Sequence, residues 1–375
     1  MRARRAVALL LGAALALTGC ATDADVDTAP EIEAVSEQLR LPMPYDEREV
    51  LDPKWDLAPI AHPDGILGGS VGSTELTFTA ISTDGTPLWR QARPLSCSGF
   101  TVTSAADGSA VAVLTDLQST TTAVSQTTAS GYDLASGELL WGPVEVPGPL
   151  RGPGAVFAFA PKSVMGDNGP RLALDPSTGA VIFDERMSDA TLIGEYAGTL
   201  LIEEPGILRG LRADGAILWE VDSSEWGGAI PSVTPPTPIG GTHALVQTRD
   251  AGGVLLDLAS GEAVSLGTDV AASDPATGAL VVLGDDGLRS IQAEGTVAWA
   301  VTVPPSTQLH GAAEAFVYTE SDGVVHVHNV MTGQAVQPYA NDEGRITVPV
   351  LALPDGAAIL AVGGRLLLAA APAGM

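Results

Sequence analysis

The chain has 375 residues, 45% of them hydrophobic, with 18 Lys and Arg against 45 Asp and Glu and a formal net charge of −27 at pH 7. So acidic a protein repels phosphate backbones and anionic lipid headgroups, which argues against nucleic-acid binding. The length is sufficient to bury a large core, and two cysteines, Cys20 and Cys97, cannot build a disulfide framework once Cys20 is used elsewhere.

The N-terminus has the pattern of an export signal. Three arginines among the first five residues precede an apolar stretch, residues 6–17, which is too short to span a bilayer comfortably. The string Leu17-Thr18-Gly19-Cys20 resembles a bacterial lipoprotein lipobox. The resemblance implies a signal peptide over residues 1–19 and diacylation of Cys20, with the protein held at the extracytoplasmic face of the cell membrane. An ordinary signal peptide with an incidental cysteine is the alternative.

The segment after the signal is acidic. Residues 20–45 carry six carboxylates before residue 38 and few apolar side chains, which predicts a flexible tether, with a short helix around Ile32–Leu39 as an alternative for part of it. The folded domain is predicted to cover residues 46–375. Removal of residues 1–19 takes away three arginines and no acid, so the net charge becomes −30.

From about Leu57 the chain consists of short apolar runs separated by Gly, Asp and Pro. Leu76–Thr79, Ala110–Leu114 and Ala315–Tyr318 are examples rich in β-branched or small apolar residues. Such runs are typical of strands, and no long stretch has the periodicity of an amphipathic helix. The sequence therefore predicts an all-β domain.

A turn that ends in glycine recurs seven times, on average about 41 residues apart, and an aromatic residue usually follows four positions later. This period is typical of a four-stranded propeller blade. The turn glycines are Gly85, Gly137, Gly179, Gly215, Gly261, Gly295 and Gly333, and the residues four positions later are Trp89, Trp141, Phe183, Trp219, Ser265, Trp299 and Gln337.

Two kinds of turn are distinguishable. In four copies a short polar residue stands four positions before the glycine, where its side chain can accept hydrogen bonds from the turn's own N–H groups, and these residues are Asp133, Asp175, Asp257 and Asn329. The other three copies are predicted to be compact hairpins. In both kinds the glycine takes a positive φ, and the aromatic falls on the returning strand, where we expect it to pack between blades.

This spacing resembles the pyrroloquinoline-quinone-type (PQQ-like) propeller repeat over about residues 57–371. The nearest matches are Leu174–Gly179, and Tyr132–Gly137 with Trp141. The resemblance implies a β-propeller of four-stranded blades. Three strand-like runs follow the seventh turn, and residues 45–55 are predicted to close the ring as their fourth strand, which gives eight blades, with seven as the alternative. Lipobox and blade number are also similar to those of the outer-membrane barrel-assembly propeller lipoproteins, whose role is not transferred.

Signals for chemistry are weak. Gly68–Gly72 matches a nucleophile-elbow string, but a strand-like run follows it where that motif requires a helix. His326 and His328 share one face of a predicted strand, and such a pair can join a metal ion, although core or solvent-facing histidines are the commoner outcome. The cysteine pair and calcium-ligand set of quinone-dependent propeller enzymes have no counterpart. We therefore expect no catalytic, metal or cofactor residues.

The function predicted first is a non-catalytic, membrane-anchored lipoprotein that acts as a protein-binding or scaffold propeller for an envelope partner. A quinone-dependent or other enzyme with its site at the central channel is one alternative, and a small-ligand sensor is another. Long loops often carry binding sites. The loop Ser223–Thr242 contains Trp226 among prolines, and we expect an exposed indole there that contacts the partner.

The lipobox gives a first prediction. Cys20→Ser removes the thiol that receives the lipid, so the variant is expected to leave the membrane fraction or to remain unprocessed, because two acyl chains are what hold such a protein stably to a bilayer. Membrane fractionation and gel migration measure this. A variant that fractionates and migrates like the wild type would contradict lipidation at Cys20.

Overall fold

The computed structural model describes residues 31–95, 99–118, 126–160, 169–231, 239–340 and 342–372. In these ranges the chain forms strands joined by turns, with single-turn 3-10 helices at Met43–Tyr45, Glu185–Met187 and Ser224–Trp226. The predicted all-β class is confirmed. The helices of these ranges are all too short to cross a membrane.

Eight antiparallel sheets follow one another along the chain as the blades of a β-propeller, which confirms eight blades rather than seven. The first strand of a blade lies nearest the central channel, where it contacts first strands of neighbouring blades, and the fourth strand lies outermost.

The first half of the chain contains β1 (Leu39–Arg40) and β2 (Val50–Trp55); in blade 1, β3 (Leu57–His62), β4 (Gly65–Val71), β5 (Glu75–Ile81) and β6 (Pro87–Pro94); in blade 2, β7 (Phe100–Ser104), β8 (Ala110–Gln118), β9 (Gln126–Asp133) and β10 (Leu139–Glu145); in blade 3, β11 (Val156–Ala158), β12 (Arg171–Leu174) and β13 (Val181–Asp184); and in blade 4, β14 (Thr191–Tyr196), β15 (Thr199–Glu204), β16 (Ile207–Leu211) and β17 (Ile217–Asp222).

The second half contains, in blade 5, β18 (Ala229–Ile230), β19 (His243–Thr248), β20 (Gly253–Asp257) and β21 (Ala263–Leu266); in blade 6, β22 (Thr268–Asp274), β23 (Ala279–Gly284), β24 (Gly287–Ile291) and β25 (Val297–Val301); in blade 7, β26 (Gln308–Ala313), β27 (Phe316–Ser321) and β28 (Val324–Asn329); then β29 (Arg345–Ile346); and in blade 8, β30 (Val348–Ala352), β31 (Ala358–Val362) and β32 (Arg365–Ala369), with β2 as the fourth strand.

Blades 3 and 7 have three full strands, and a single bridge marks the fourth position in each. In blade 3 Leu150 bridges Phe157 on the channel side, and in blade 7 Ala335 bridges His328 on the outer side. All eight blades therefore keep four strand positions.

The ring is closed by the N-terminal strand, as the sequence predicts. β2 pairs antiparallel with β32, with Val50 opposite Ala369 and Leu51 opposite Leu368. Because the two ends of the chain complete one blade together, neither leaves an open sheet edge at the closure.

Residues 31–45 do not form the predicted tether or helix. Ala34 bridges Leu51 on the outer side of β2, and β1 pairs in parallel with β29. Val35 and Leu39 pack against the core of blades 7 and 8, and Tyr45 is fully buried in that core. The prediction was wrong because the few apolar residues of this acidic segment are placed so that an extended chain buries them together. The remainder of the predicted tether, residues 20–30, lies outside the described ranges.

The hairpin between the third and fourth strands carries a β-bulge in each of blades 1 to 6. The extra residue lies three positions after the turn glycine and shifts the register, so the residue four positions after the glycine faces the third strand. The facing pairs are Trp89 with Ala80, Trp141 with Gly131, Phe183 with Ala173, Trp219 with Gly210, Ser265 with Leu255 and Trp299 with Ser290. The bulge therefore explains the four-residue spacing seen in the sequence.

All four tryptophans at this position donate a hydrogen bond to the next blade through the indole N–H. Each donates to the carbonyl of the residue that directly follows the Asp or Asn at the start of the next blade's glycine turn. The bonds run from Trp89 to Leu134 at 2.8 Å, from Trp141 to Pro176 at 2.6 Å, from Trp219 to Leu258 at 2.8 Å and from Trp299 to Val330 at 2.7 Å. The aromatic position thus joins blades 1 to 2, 2 to 3, 4 to 5 and 6 to 7.

The acceptor turns have the side-chain geometry that the sequence predicts. Asp133 Oδ1 accepts from Ser136 N at 2.7 Å, and Asp257 Oδ1 accepts from Ser260 N at 2.8 Å. Gly137 and the other turn glycines have φ near +70 to +90°, a region that side chains rarely adopt. These turns hold their carbonyls where the indole of the preceding blade reaches them.

Two glycines hold the ring of Trp219. A Cβ at Gly210, on the same blade, or at Gly261, in the turn of the next blade, would overlap the indole. In blade 5 the sizes are exchanged, since the small Ser265 faces Leu255, which is fully buried. The pair of facing residues therefore conserves volume even where the aromatic is missing.

This packing predicts the effect of adding one methyl group. Gly210→Ala is expected to lower the free energy of unfolding by about 1–3 kcal/mol, because the new Cβ meets a ring that Gly261 prevents from moving away. Chemical denaturation measures it.

Ser290→Ala is the matched control. Ser290 also faces a tryptophan, already carries a Cβ, and has a buried Oγ without a hydrogen-bond partner in the described part of the chain. Removal of this hydroxyl is expected either to raise the free energy of unfolding or to change it by no more than about 0.5 kcal/mol. Equal losses for the two variants would contradict the packing argument.

Candidate functional site

A cavity of about 410 Å³ lies at one mouth of the central channel. Strands alternate in direction within a blade, so the turns after first strands and the turns after third strands lie at the same end of the ring, which we name the turn end. The cavity, named the channel cavity, is lined at this end by first-strand residues and turns of blades 1, 2, 4, 5, 6 and 8.

The walls of the channel cavity are mainly apolar and stiff. Apolar side chains come from the first strands or the second strand behind them, and a proline follows the first strand in three blades. The apolar residues include Ile60, Val102, Leu280 and Leu351, and the prolines are Pro63, Pro275 and Pro354. Proline fixes φ, so these three turns hold one shape.

Two carboxylates at the turn end are occupied by bonds between blades. Asp64 of blade 1 accepts a hydrogen bond from Ala110 N of blade 2 at 3.1 Å. Asp274 of blade 6 is fully buried and accepts from Thr277 Oγ1 at 2.7 Å and from Ala315 N of blade 7 at 3.0 Å. Both acids therefore fasten neighbouring blades together at the turn end.

A third carboxylate, Glu195, joins blades 2, 3 and 4. It accepts from Thr103 Oγ1 at 2.6 Å, Gly198 N at 2.6 Å and Ala155 N at 3.1 Å. The reduced first strand of blade 3 lets Thr103 reach across to it. Complete burial raises the pKa of Glu195, while the three donors oppose that shift. Its hydrogen-bonding capacity is thus largely consumed within the fold.

His62 and Ser104 form a polar contact in the channel cavity. Ser104 Oγ lies 3.3 Å from His62 Nε2, and Asp64 Oδ2 lies 3.4 Å from His62 Nδ1. The order of groups is that of a Ser-His-Asp triad, but His62 Nδ1 accepts a hydrogen bond from Asp64 N at 3.2 Å. With Nδ1 as the acceptor of that bond, the ring proton lies on Nε2, and the imidazole is the donor in its contact with Ser104.

His243 of blade 5 lines the other side of the channel cavity. Its Nδ1 lies 2.9 Å from Thr242 Oγ1, and its Nε2 lies 3.9 Å from Asp257 Oδ2. It also borders a more polar cleft of about 550 Å³ between blades 5 and 6, together with Glu262 and Glu294. Burial lowers the pKa of both His62 and His243, and the nearby aspartate of each opposes the shift.

The residues singled out from the sequence lie elsewhere on the ring. The turn residues Asp133, Gly137, Asp175, Gly179, Gly215, Asp257, Gly261, Gly295 and Gly333 form the outer turns of the turn end, and Trp141, Phe183, Trp219 and Trp299 lie on the strands that follow. Cys20 and Cys97 lie outside the described residues. The structure thus brings the predicted set together as blade contacts, and Asp257 and Gly295 also border the polar cleft.

The expectation of an exposed indole at Trp226 is wrong. Trp226 is 8% exposed and packs in the same core cluster as Tyr196 and Trp219. It ends the 3-10 helix that enters blade 5, and β18 then runs between it and the proline-rich part of the segment, much of which, residues 232–238, lies outside the described ranges. The segment Ser223–Thr242 is therefore two connections separated by β18 and not the single loop that its composition predicts.

In the part of the chain that the structure describes, His326 and His328 are not joined by a third metal-ligating side chain. His328 Nδ1 lies 3.1 Å from Gly333 O, and its ring centre is 6.2 Å from that of Trp299, so the imidazole belongs to a blade contact. Within the described ranges no group of three or more His, Cys, Asp or Glu side chains is placed to hold a metal ion.

Sequence reasoning missed the channel cavity. The turns His62-Pro63-Asp64-Gly65, Asp274–Gly278 and Leu353–Gly356 all place a proline directly after the first residue of the turn, at the same point of three blades. A proline that recurs after the first strand of blades 1, 6 and 8 is the sequence signal that could have located the cavity.

Comparison with known proteins adds little beyond the architecture. No protein-family profile matches the chain, and no curated protein is significantly similar. Among solved structures, the chain resembles BamB from Moraxella catarrhalis (15% identity, 85% of this chain and 95% of that one, TM-score 0.43) and AztD from Citrobacter koseri (12% identity, 79% and 87%, TM-score 0.43). Protein lmo1340 from Listeria monocytogenes is similar too (10% identity, 86% and 100%, TM-score 0.38). At these TM-scores the likenesses carry no argument about function.

The two partly buried histidines of the channel cavity, His62 and His243, predict a dependence of stability on pH. Their folded-state pKa values lie below the ordinary 6.5, so the unfolded chain binds protons first. Their contribution to stability is complete above about pH 6.5 and is lost as the pH falls through that value toward the folded pKa. The free energy of unfolding is therefore expected to fall between pH 7.5 and 5.5, and denaturant titrations at several pH values measure it.

The variant His62→Gln/His243→Gln is expected to have a shallower slope in that interval. His326→Gln, at an exposed position, controls for the loss of an imidazole. An unchanged slope in the double variant would contradict the assignment.

Proposed function

We propose that this protein is a non-catalytic propeller that binds another envelope protein and is held at the extracytoplasmic membrane face by a lipid on Cys20. The observation that carries the proposal is a patch of exposed apolar side chains on the outermost strands of three consecutive blades. This rim patch consists of Leu139, Leu140, Val181, Ile217 and Leu218, which are between 43% and 57% exposed.

The rim patch arises from the repeat itself. Its members stand two or three positions after the turn glycine of blades 2, 3 and 4, on β10, β13 and β17. In the described ranges no strand lies beyond these three in their sheets, so both side chains and strand edges face outward. Blade 5 has the small Ala263 at the same position, which ends the rim patch and separates it from Val297 of blade 6, 56% exposed at the equivalent position.

A protein partner suits this arc better than a lipid surface. Exposed Glu138 and Asp214 stand beside the apolar residues, and the whole chain has a net charge of −27. A partner with an apolar face bordered by Lys or Arg complements both features. Complete burial of a Leu, Val or Ile side chain contributes roughly 1.5–3 kcal/mol, so covering the exposed half of each contributes about half as much, and the five together can offset part of the cost of association.

The channel cavity supports binding rather than catalysis. Asp64, Asp274 and Glu195 are engaged in bonds between blades, and the hydrogen bonds of His62 leave its Nε2 as a donor. A general base for hydrolysis would need the opposite tautomer. These groups favour a rigid frame over an acid–base site.

Site-specific photo-crosslinking in the organism's own cells tests the proposal. A benzophenone side chain at Leu140 or at Ile217 of the full-length protein is expected to capture the same envelope protein, whereas one at Val324, 55% exposed on blade 7, is expected not to. Val181→Asp should lower the yield at Leu140 about tenfold or more, since it places a desolvated charge in the interface.

Val324→Asp is the matched control and should leave the yield unchanged. Equal capture from Leu140 and Val324, or a Val181→Asp protein that crosslinks like the wild type, would overturn the assignment of the rim patch.

A further inference from the structure

We propose that the channel cavity binds a small, uncharged, mainly apolar molecule that carries a hydrogen-bond acceptor for the hydroxyl of Ser104. This site is independent of the rim patch, which lies on the outside of the ring. The two surfaces share no residue, so either can fail without the other.

The size and stiffness of the channel cavity fit such a ligand. Its volume of about 410 Å³ falls in the range of roughly 300–1,000 Å³ that is typical of small-molecule sites. Six blades contribute to the wall, and Pro63, Pro275 and Pro354 fix the turns around the mouth. Because the wall is already built, a ligand need not order it, and less free energy is lost on binding.

The polarity of the wall excludes a charged ligand. Asp274 is the one carboxylate that lines the cavity in the described ranges, and it is fully buried with its oxygens bonded to Thr277 Oγ1 and Ala315 N, so it presents no free carboxylate to a cation. No Lys or Arg of the described ranges lines the cavity, so an anion finds no counter-charge there. An unpaired ion would be desolvated without compensation, which costs several kcal/mol.

Ser104 supplies a directed polar contact. His62 Nε2–H donates to Ser104 Oγ across 3.3 Å, because Asp64 N holds the other ring nitrogen as an acceptor. The serine O–H is then free to donate in turn, and a ligand carbonyl or ether oxygen is a suitable acceptor. The chain of Asp64 N–H, His62 and Ser104 orients one donor toward the cavity that His62 and Ser104 line.

A second polar contact stands across the channel. His243 belongs to blade 5, which is opposite blade 1 in a ring of eight, and its imidazole is paired with Thr242 Oγ1 at 2.9 Å. The site thus has an apolar body with polar groups on two opposite walls. An elongated molecule with its acceptor at the Ser104 end fits this arrangement.

Prodan is the probe for the test, because it is an uncharged naphthalene whose propionyl carbonyl is an acceptor and whose emission reports hydrogen bonding and polarity. The folded full-length protein is expected to bind one Prodan with a saturable, blue-shifted emission. The anionic naphthalene 1-anilinonaphthalene-8-sulfonate is expected to bind at least about tenfold more weakly, since the cavity has no counter-charge.

Three variants localise the binding. Ser104→Ala is expected to weaken Prodan binding about threefold to tenfold, the usual value of one hydrogen bond. Ser109→Ala, in the same turn but with its hydroxyl bonded to Asp107, is expected to bind like the wild type. Ala61→Phe and Ala352→Phe fill the cavity from blades 1 and 8 and should each abolish binding, with thermal unfolding curves used to confirm that they fold.

Each outcome decides the proposal. Absence of saturable Prodan binding, equal binding of the sulfonate, or wild-type affinity in a folded cavity-filling variant would overturn the site. Equal affinity in Ser104→Ala and Ser109→Ala would overturn the role of Ser104.

Discussion

The contact on which the ring depends is an indole packed against the turn of the next blade, and at Trp141 and Trp219 the indole lies between two glycines, one on its own blade and one in that turn. Such a ring removes about 150–250 Å² from water, and its N–H meets a carbonyl that the next turn holds in place. The β-bulge is what brings the ring to that position, since without the extra residue Trp219 would not face Gly210. Blade spacing therefore follows from a local feature of one hairpin, repeated around the ring.

Fixed spacing between blades also fixes the centre of the ring. Because outer contacts such as that of Trp141 with Pro176 set the angle between blades, the first strands meet at a defined distance around the channel. Where a first strand is reduced, as at Leu150, side chains bridge the gap, and Thr103 reaches Glu195 across blade 3. The channel cavity is thus a consequence of outer packing, although none of its residues takes part in that packing.

The sequence was informative wherever the controlling interaction is local. The turn of Asp133 and Gly137, and the aromatic at Trp141, lie within nine residues of one another, so spacing alone revealed them. Ring closure was also predictable, because the strand-like runs at the C-terminus left one strand missing. The packing of residues 31–45 was not, since average composition hides where Val35 and Leu39 point.

The channel cavity could not be predicted because its residues come from blades far apart in the sequence. His62 and Ser104 are 42 positions apart, and no spacing rule relates either to His243. Trp226 was mispredicted for a related reason. Prolines nearby in the sequence suggested one exposed loop, but β18 separates them from Trp226. The burial of Trp226 and the hydrogen bonds of His62 and Ser104 depend on contacts in the assembled ring. The strands and turns of each blade depend on local sequence, so they could be predicted.

The position of the N-terminal segment separates the attachment of the ring from its proposed binding arc. Arg40 bonds Asp342 at 2.6 Å and stacks on Tyr339, while Arg365 pairs with Glu37 and Asp52, so the segment is fastened to blades 7 and 8. In a ring of eight, blade 7 is opposite blade 3, which lies at the centre of the rim patch. A protein tied to a membrane through this segment therefore carries its apolar arc on the side away from the attachment. A force applied through this segment would act first on the ion pairs at blades 7 and 8, whereas the rim patch and the Ser104 wall of the channel cavity belong to blades that the segment does not contact.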